Sequence, residues 1–574
     1  MRLRSKHKSP PSQTIPPVRH SFYSTTHEAV RIPELLLRYF GHLSRAELVN
    51  SAIVCRSWSA QALDTLWRHH EVPLSVLLGQ LPFLYEKLFE RPEDGPGYAL
   101  EDGGLIRSSW HPLMEQSSPE LIDASAWNPV LYKYAHKIIH LFVDTTLGED
   151  SINLLAALFN ETASPALCPN SQSLRFSMGP YQNSETLHSK AIPALCGSSV
   201  TSIELNNHPG GEHNPIDIAG HLGMALKTCG NQIQRFVLRS PACNNYYSMF
   251  TPDFSLFDHL TEVHLRSLSL AGWRKLANNC LHLLEVYLTE RPCEPRGDEF
   301  TGDPTRSIDF PLLRKLSIDC GYLNNGVLVE SNMPALESLT VSKSVFDRDQ
   351  VISKQIANRS GLLQEIEFCI MQYLGGVGSI ITTLSSLCHL RKLKLTGETS
   401  RWDVTDGDMD VLARSVLNLQ SISITLKQTL SYRKDRVPLT HATLISLVQY
   451  CRQLNSIELP MDLSRADDSK EKPVDFGPST TVTSLTFSKI LLPSKFGDDD
   501  SPRTSQVELV DGVVRFLVGC CPEVRVFKVR EQDEPRGFRR VSSIAQPCIE
   551  ERFRKYFKDR KWRVISVFVD LMRA

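Results

Sequence analysis

Apolar residues recur along most of this chain in one spacing: an apolar position, two others, a second apolar position, one other, and a third. The closing alternation is that of a half-buried strand. The phrase occurs at Ile138/Leu141/Val143, at Leu174/Phe176 with Ser171 in the first place, and at Val200/Ile203/Leu205, Ile233/Phe236/Leu238, Leu260/Val263/Leu265, Leu283/Val286/Leu288 and Leu313/Leu316/Ile318. It continues at Leu336/Leu339/Val341, Leu363/Ile366/Phe368, Leu390/Leu393/Leu395, Leu419/Ile422/Ile424, Leu454/Ile457/Leu459, Val482/Leu485/Phe487 and Val524/Phe527/Val529. The central residue advances from Leu141 to Phe527 in thirteen steps, a mean of about 30 residues. Helical phrases stand between strands, as at 271–280, 379–388, 443–451 and 511–520. A strand-plus-helix unit has an apolar edge that it cannot bury alone, so stacked units build one continuous α/β core.

Residues 31–70 are patterned differently, as three short helices. Pro33 suits a first helical position, where its missing N–H costs nothing. Leu36, Tyr39/Phe40 and Leu43 then form one apolar stripe, and Gly41 falls near the end of that helix. Ser44 and Glu47 form a capping box that opens a second helix, with Leu48, Val49, Ala52 and Ile53 as its apolar face. A third carries Trp58, Ala62 and Leu66 one turn apart, with Trp67 beside them. Helices this short bury little on one another, and the surplus of apolar side chains calls for a partner.

The same stretch resembles an F-box in Glu34-Leu35-Leu36, Arg38, Phe40, Leu43-Ser44, Leu48, Val54-Cys55-Arg56, Trp58 and Leu66-Trp67-Arg68. The family opens Leu-Pro-x-Glu, whereas Ile32-Pro33-Glu34 is one residue shorter. The box, followed by weak repeats, looks like the expanded fungal F-box families. The resemblance implies docking to a Skp adaptor, and through it to a cullin and a RING ubiquitin ligase. It implies adaptor contacts from Ile32, Pro33, Leu36, Phe40, Leu43, Leu48, Val54, Cys55, Trp58, Leu66 and Trp67.

The repeats resemble leucine-rich repeats. Cys229, Cys280, Cys388, Cys451 and Cys520 stand at or near the ends of helical phrases, similar to the cysteine-containing subclass, in which the thiol packs inside as a small hydrophobe. The expected architecture is therefore a three-helix F-box followed by a strand/helix solenoid, or horseshoe. Residues between the apolar positions point out of such a sheet. Arg235, Val237, Arg239, His264, Arg266 and Tyr287 then share one face, partly neutralised by Glu262 and Glu285. Arginine among aromatics is the composition of binding hot spots, and guanidinium suits carboxylate or phosphate, so an acidic or phosphorylated protein segment is the expected ligand.

Composition narrows the function. The 574 residues carry a net charge of −1, with 22% charged and 41% hydrophobic residues. Neither a nucleic-acid nor a membrane partner follows from that balance, and no run of apolar residues is long enough to span a bilayer. The basic, Pro/Ser-rich start has no apolar core of a secretory signal, and its Arg2, Arg4, Lys6 and Lys8 read as a solvated tail. Fourteen cysteines in that context are expected as reduced thiols, and a cytoplasmic or nuclear location is expected.

Catalytic motifs are missing. Gly375-Gly376-Val377-Gly378-Ser379 has Ile381 where a dinucleotide fingerprint needs its third glycine, and lacks the Gly-Lys pair of a P-loop. His136 and His140 lack the glutamate of a metalloprotease helix. No enzyme, cofactor or metal is expected. Domain expectations are a tail at 1–28, the F-box at 29–72, a linker and cap at 73–130 with Trp110 and Trp127 as anchors, the solenoid at 131–540 and a terminal cap at 541–574. Polar loops are expected at 464–479 and 495–505. The expected function is substrate recognition for a Skp–cullin–F-box ubiquitin ligase, and the alternative is a leucine-rich-repeat scaffold or enzyme regulator outside any ligase.

Overall fold

The computed structural model describes residues 33–78, 134–143, 168–178, 195, 197–207, 226–227, 230–239, 252–290, 308–319, 331–344, 362–373, 377–399, 404–428, 439–462, 481–491, 516–517, 520–521, 524 and 526–529. The expected tail, the two tryptophan anchors, both polar loops, the terminal cap and Cys229 lie outside these residues.

Three helices open the described chain: α1 (Pro33–Phe40), α2 (Arg45–Ala52) and α3 (Arg56–His69). The expected capping box is present, with the Glu47 amide donating to the Ser44 hydroxyl and the Ser44 amide donating to the Glu47 carboxylate at 2.7 Å. Leu36 and Phe40 on α1, Leu48 on α2 and Ala62 on α3 form a small separate core, with Leu43, Ala52, Trp58 and Leu66 packed around it. Trp58 meets Phe40 edge-on at 5.6 Å.

The chain then passes through β1 (Val72–Pro73) and α4 (Leu74–Leu78). Next come β2 (His140–Val143), β3 (Ser173–Met178), β4 (Ser202–Asn207), β5 (Arg235–Arg239), β6 (Glu262–Leu265), α5 (Leu270–Asn279), β7 (Glu285–Leu288), β8 (Ile308–Asp309), β9 (Lys315–Asp319), β10 (Ser331–Asn332), β11 (Ser338–Ser344) and β12 (Glu365–Tyr373). The remaining elements are α6 (Val377–Leu384), β13 (Lys392–Thr399), α7 (Asp406–Ser415), β14 (Ser421–Gln428), α8 (His441–Tyr450), β15 (Ser456–Asp462), β16 (Ser484–Leu491) and β17 (Val526–Val529). Fifteen strands form one sheet in chain order, every pairing among the described residues parallel, while β8 and β10 pair with each other outside it. Each of the fourteen expected phrases is a strand of that sheet. The fifteenth, β1, was not anticipated: it pairs Val72 with Leu141 and so attaches the helical segment directly to the sheet.

Register explains how units of unequal length stack. The central apolar residues face one another strand to strand, as in Val286↔Leu316↔Leu339↔Ile366↔Leu393↔Ile422↔Ile457↔Leu485↔Phe527. Two backbone features recur ahead of most strands of this sheet. The amide of the first apolar residue donates to the carbonyl three residues earlier, as Leu283 does to Cys280 at 3.2 Å and Leu454 to Cys451 at 3.0 Å. The carbonyl of the residue after the first apolar position accepts two amides from the next unit, as Gln364 does from Arg391 and Lys392 at 2.7 and 2.9 Å. Buried backbone groups must be paired, and this repeated scheme pairs them wherever the intervening segment ends.

The residue three places before the first apolar position is therefore a fourth core position of the unit. It is filled by Cys280, Phe310, Leu387, Val416, Cys451 and Cys521, all buried. This corrects the reading of the cysteines. Cys280 and Cys451 are inside, their thiols donating to the carbonyls of Phe254 and Phe257 and of Ala413 and Val416 respectively. Burial pushes both thiols up to about 12. Cys388, however, is exposed, because Leu387 takes the inner position of its unit. Cys520 is half-buried and its neighbour Cys521 holds the inner place. Cys168 occupies the same position before Ser171 and was missed, because its phrase begins with a serine.

One hydrophobic core runs from Trp67 to Val524 and includes Leu74 and Leu77. Leu74 and Leu77 thus belong to the sheet's core rather than to the three-helix core. Gly378 lies inside α6, where the Thr382 hydroxyl donates to its carbonyl at 2.9 Å; Gly375 and Gly376 lie outside the described residues.

Candidate protein-interaction site

Two surfaces bear on function. The first covers the helical segment. Its amphipathic helices turn Leu36, Phe40 and Leu48 inward, and leave Leu35, Leu37, Tyr39, Val49, Ile53 and Val54 exposed, Ile53 at 82% and Val54 at 61%. The expected contact residues divide accordingly. Leu36, Phe40 and Leu48 are internal to the three-helix core, and Trp67 belongs to the sheet core. Leu43, Trp58 and Leu66 are half-buried, Val54 and Cys55 are open, Pro33 begins α1, and Ile32 lies outside the described residues. Tyr39, Val49 and Ile53, expected on the apolar faces of their helices, are exposed. Leu35, Leu37 and Tyr39 alternate with the buried residues of α1, the one sequence signal that could have found them.

This patch is held against the sheet by more than β1. Trp67 packs on Tyr134. Asp64 on α3 pairs with Arg68 and with Lys137, both at 3.0 Å. Glu71 accepts from Arg175 of β3 at 3.2 Å.

The second surface is the polar face of β3 to β9. Val237, His264 and Tyr287 stand side by side in register, as do Arg235, Glu262 and Glu285. The structure brings the expected arginines together, and also brings their counter-charges, two of which the sequence reading missed. Arg235 pairs with Glu262 at 3.0 Å and with Glu204 at 3.8 Å, Arg239 with Glu204 at 3.8 Å, and Arg266 with Glu290 at 2.6 Å. Glu204 and Glu290 lie in other phrases, and only the register reveals their proximity. Val237 is buried, which corrects its expected place on the open face.

His264 stacks on Tyr287 at 4.1 Å with planes inclined at 20°. Its Nε2 is 2.6 Å from the Glu262 carboxylate. Burial, helped by Arg235 and Arg239, holds the imidazole below its usual range despite the opposing pull of Glu262. Burial works against ionisation of Glu285, but hydrogen bonds from Lys315 and Tyr287 outweigh it and keep its carboxyl below the ordinary range. Further along the same face Lys392 pairs with Glu365, and Lys394 with Glu367 at 2.5 Å. The face is a charge-balanced lattice suited to reading shape and hydrogen bonds, with no group of His, Cys, Asp and Glu arranged to hold a metal among the described residues.

Comparison with known proteins places a family on the first surface. The F-box-like family model matches residues 33–72, so the three helices and the start of β1 form an F-box-like domain. None of the curated proteins matches. Among solved structures, the chain is similar to one described as the crystal structure of the Rad7 and Elc1 complex in yeast, at 15% identity over 68% of this chain and 87% of that chain. The TM-score of 0.32 is too low to support a shared fold.

Proposed function

We propose that this protein is the substrate-recognition subunit of a Skp–cullin–F-box ubiquitin ligase. The observation that carries the reading is the coincidence of the F-box-like match with the exposed apolar side chains Tyr39, Val49, Ile53 and Val54 on the same segment. Apolar side chains gathered on a segment with so small a core of its own are the signature of a covered surface. In this reading the parallel sheet and its helices are a leucine-rich-repeat-like solenoid of horseshoe form, and its polar face holds a protein substrate. The mechanism is positional: one end is fixed to the ligase, and the bound substrate's lysines gain effective concentration near the ubiquitin-charged enzyme. The chain itself performs no covalent step and needs no cofactor, and it acts in the cytoplasm or nucleus.

The test is co-purification of the full chain with a purified Skp adaptor, beside Ile53→Asp and Val54→Asp. Because both side chains are exposed, these changes leave the fold intact and abolish adaptor binding if the reading holds. A folded wild-type chain that ignores the adaptor overturns it and leaves the repeat-scaffold reading in its place.

A further inference from the structure

Beyond residue 78, only five large apolar side chains are exposed among the described residues: Leu281, Leu312, Leu362, Val411 and Leu417. Four of them occupy one structural place. Leu281, Leu312 and Leu417 are central residues of the tight turns closed by the amides of Leu283, Leu313 and Leu419 on the carbonyls of Cys280, Phe310 and Val416. Leu362 directly precedes the first apolar residue of its unit, Leu363. Central turn positions point to solvent and ordinarily hold polar residues. The neighbouring units obey that rule, with Asp258-His259 before β6 and Arg452-Gln453 before β15.

The units between them are β7, β9, β11, β12, β13 and β14, which are consecutive in the sheet. The leucines therefore form a bounded apolar stripe along the rim where the strands begin, continued by the exposed Cys388 in the β13 turn. Five strand spacings make it about 24 Å long, roughly the length of sixteen helical residues. The turns carry a net positive charge of one. Across these turns the charged groups are Arg314, Glu337 and Arg391. Glu337 lies 3.9 Å from Arg314, which leaves the exposed Arg391 without a carboxylate among the described residues.

We propose that this rim is a second protein-binding site, which takes an amphipathic helical segment with a leucine-like face flanked by carboxylates. It is separate from both the F-box-like patch and the polar sheet face, and does not depend on the ubiquitin-ligase reading. Apolar contact supplies the attraction, and the exposed Arg391 selects acidic over basic partners.

The experiment uses the full chain and two fluorescently labelled synthetic amphipathic peptides that share one leucine face, with glutamates on one and lysines on the other. Fluorescence anisotropy is expected to show the acidic peptide binding about tenfold or more tightly than the basic one, with an affinity that falls as salt rises. The combined variant Leu281→Ser, Leu312→Ser, Leu362→Ser and Leu417→Ser is expected to weaken acidic-peptide binding about tenfold or more while keeping the wild-type melting temperature. Arg391→Glu is expected to narrow or reverse the preference. Binding of neither peptide, or binding unchanged in the serine variant, overturns the proposal. So does a concentration-dependent wild-type dimer that the serine variant abolishes, since the stripe would then belong to a second copy of this chain.

Discussion

The indole of Trp67 lies 5.1 Å from the ring of Tyr134, centre to centre, with the two planes inclined at 32°. Trp67 lies in the last turn of the third helix of the F-box-like segment, yet it is buried in the long core of the sheet rather than in the small core of its own helices. This contact, the β1–β2 pairing and the Asp64–Lys137 and Glu71–Arg175 ion pairs join the F-box-like helices to the sheet.

Trp67→Ala opens a void at that junction and is expected to cost about 3 kcal/mol, the usual loss for truncating a buried aromatic. Urea unfolding measures it. Ile53→Asp, on the exposed patch, is expected to stay within about 0.5 kcal/mol of wild type in the same assay. Equal effects would mean that the patch is structural.

Gly230 opens a short turn ahead of β5, and a Cβ placed there would lie 2.6 Å from the Leu256 carbonyl oxygen. Backbone cannot retreat as a side-chain tip can, so Gly230→Ala is expected to destabilise the chain by about 1–3 kcal/mol. An unchanged midpoint in thermal unfolding would show that β5 and the segment before β6 are free to separate.

The thiols are expected to react in an order that sequence alone does not suggest. Cys55 is exposed, and a hydrogen bond with the Ser57 hydroxyl, aided by the Trp58 amide, holds its thiol below the usual range. It should alkylate first, and Cys388, also exposed, soon after. Cys168, Cys280 and Cys451 should remain unmodified until unfolding, since burial pushes each thiol up to about 12. Mass spectrometry of peptides from the native protein, alkylated at mild pH, resolves the order by site. Early labelling of Cys280 or Cys451 would contradict the packing described.

His264 makes stability depend on pH in a definite sense. Its folded-state pKa lies below the ordinary 6.5, so the unfolded chain binds the proton more readily and acid favours unfolding. Its contribution is present above about 6.5 and is lost as pH falls through the lower, folded-state value. Melting temperatures at neutral and mildly acidic pH are expected to diverge more for wild type than for His264→Gln, which keeps Glu262, Glu285 and the arginines as a common background. A steeper loss in the variant would show that the Glu262 contact, rather than burial, governs the imidazole.

Much of this protein was legible in its sequence, because the relevant physics is local or strictly periodic. The capping box of Ser44 and Glu47 needs only three residues of separation, and the fourteen strand phrases need only the alternation of Leu, Ile, Val and Phe with polar neighbours. What the sequence could not provide was orientation around a helix and proximity across units. Leu36 and Leu35 are chemically alike and adjacent, and which one is covered depends on where α2 and α3 lie. Arg239 and Glu204 are distant in sequence and meet only because β4 and β5 pair in one register. Cys388 stays outside because a one-residue offset exchanges the inner and outer places of a tight turn, and its neighbour Leu387 is the better occupant of the core. By itself the sequence determined the order and kind of the elements, since those follow from local patterning. Only the tertiary structure decided which apolar residues remain uncovered and which charges are already neutralised, since both depend on what the rest of the chain brings alongside.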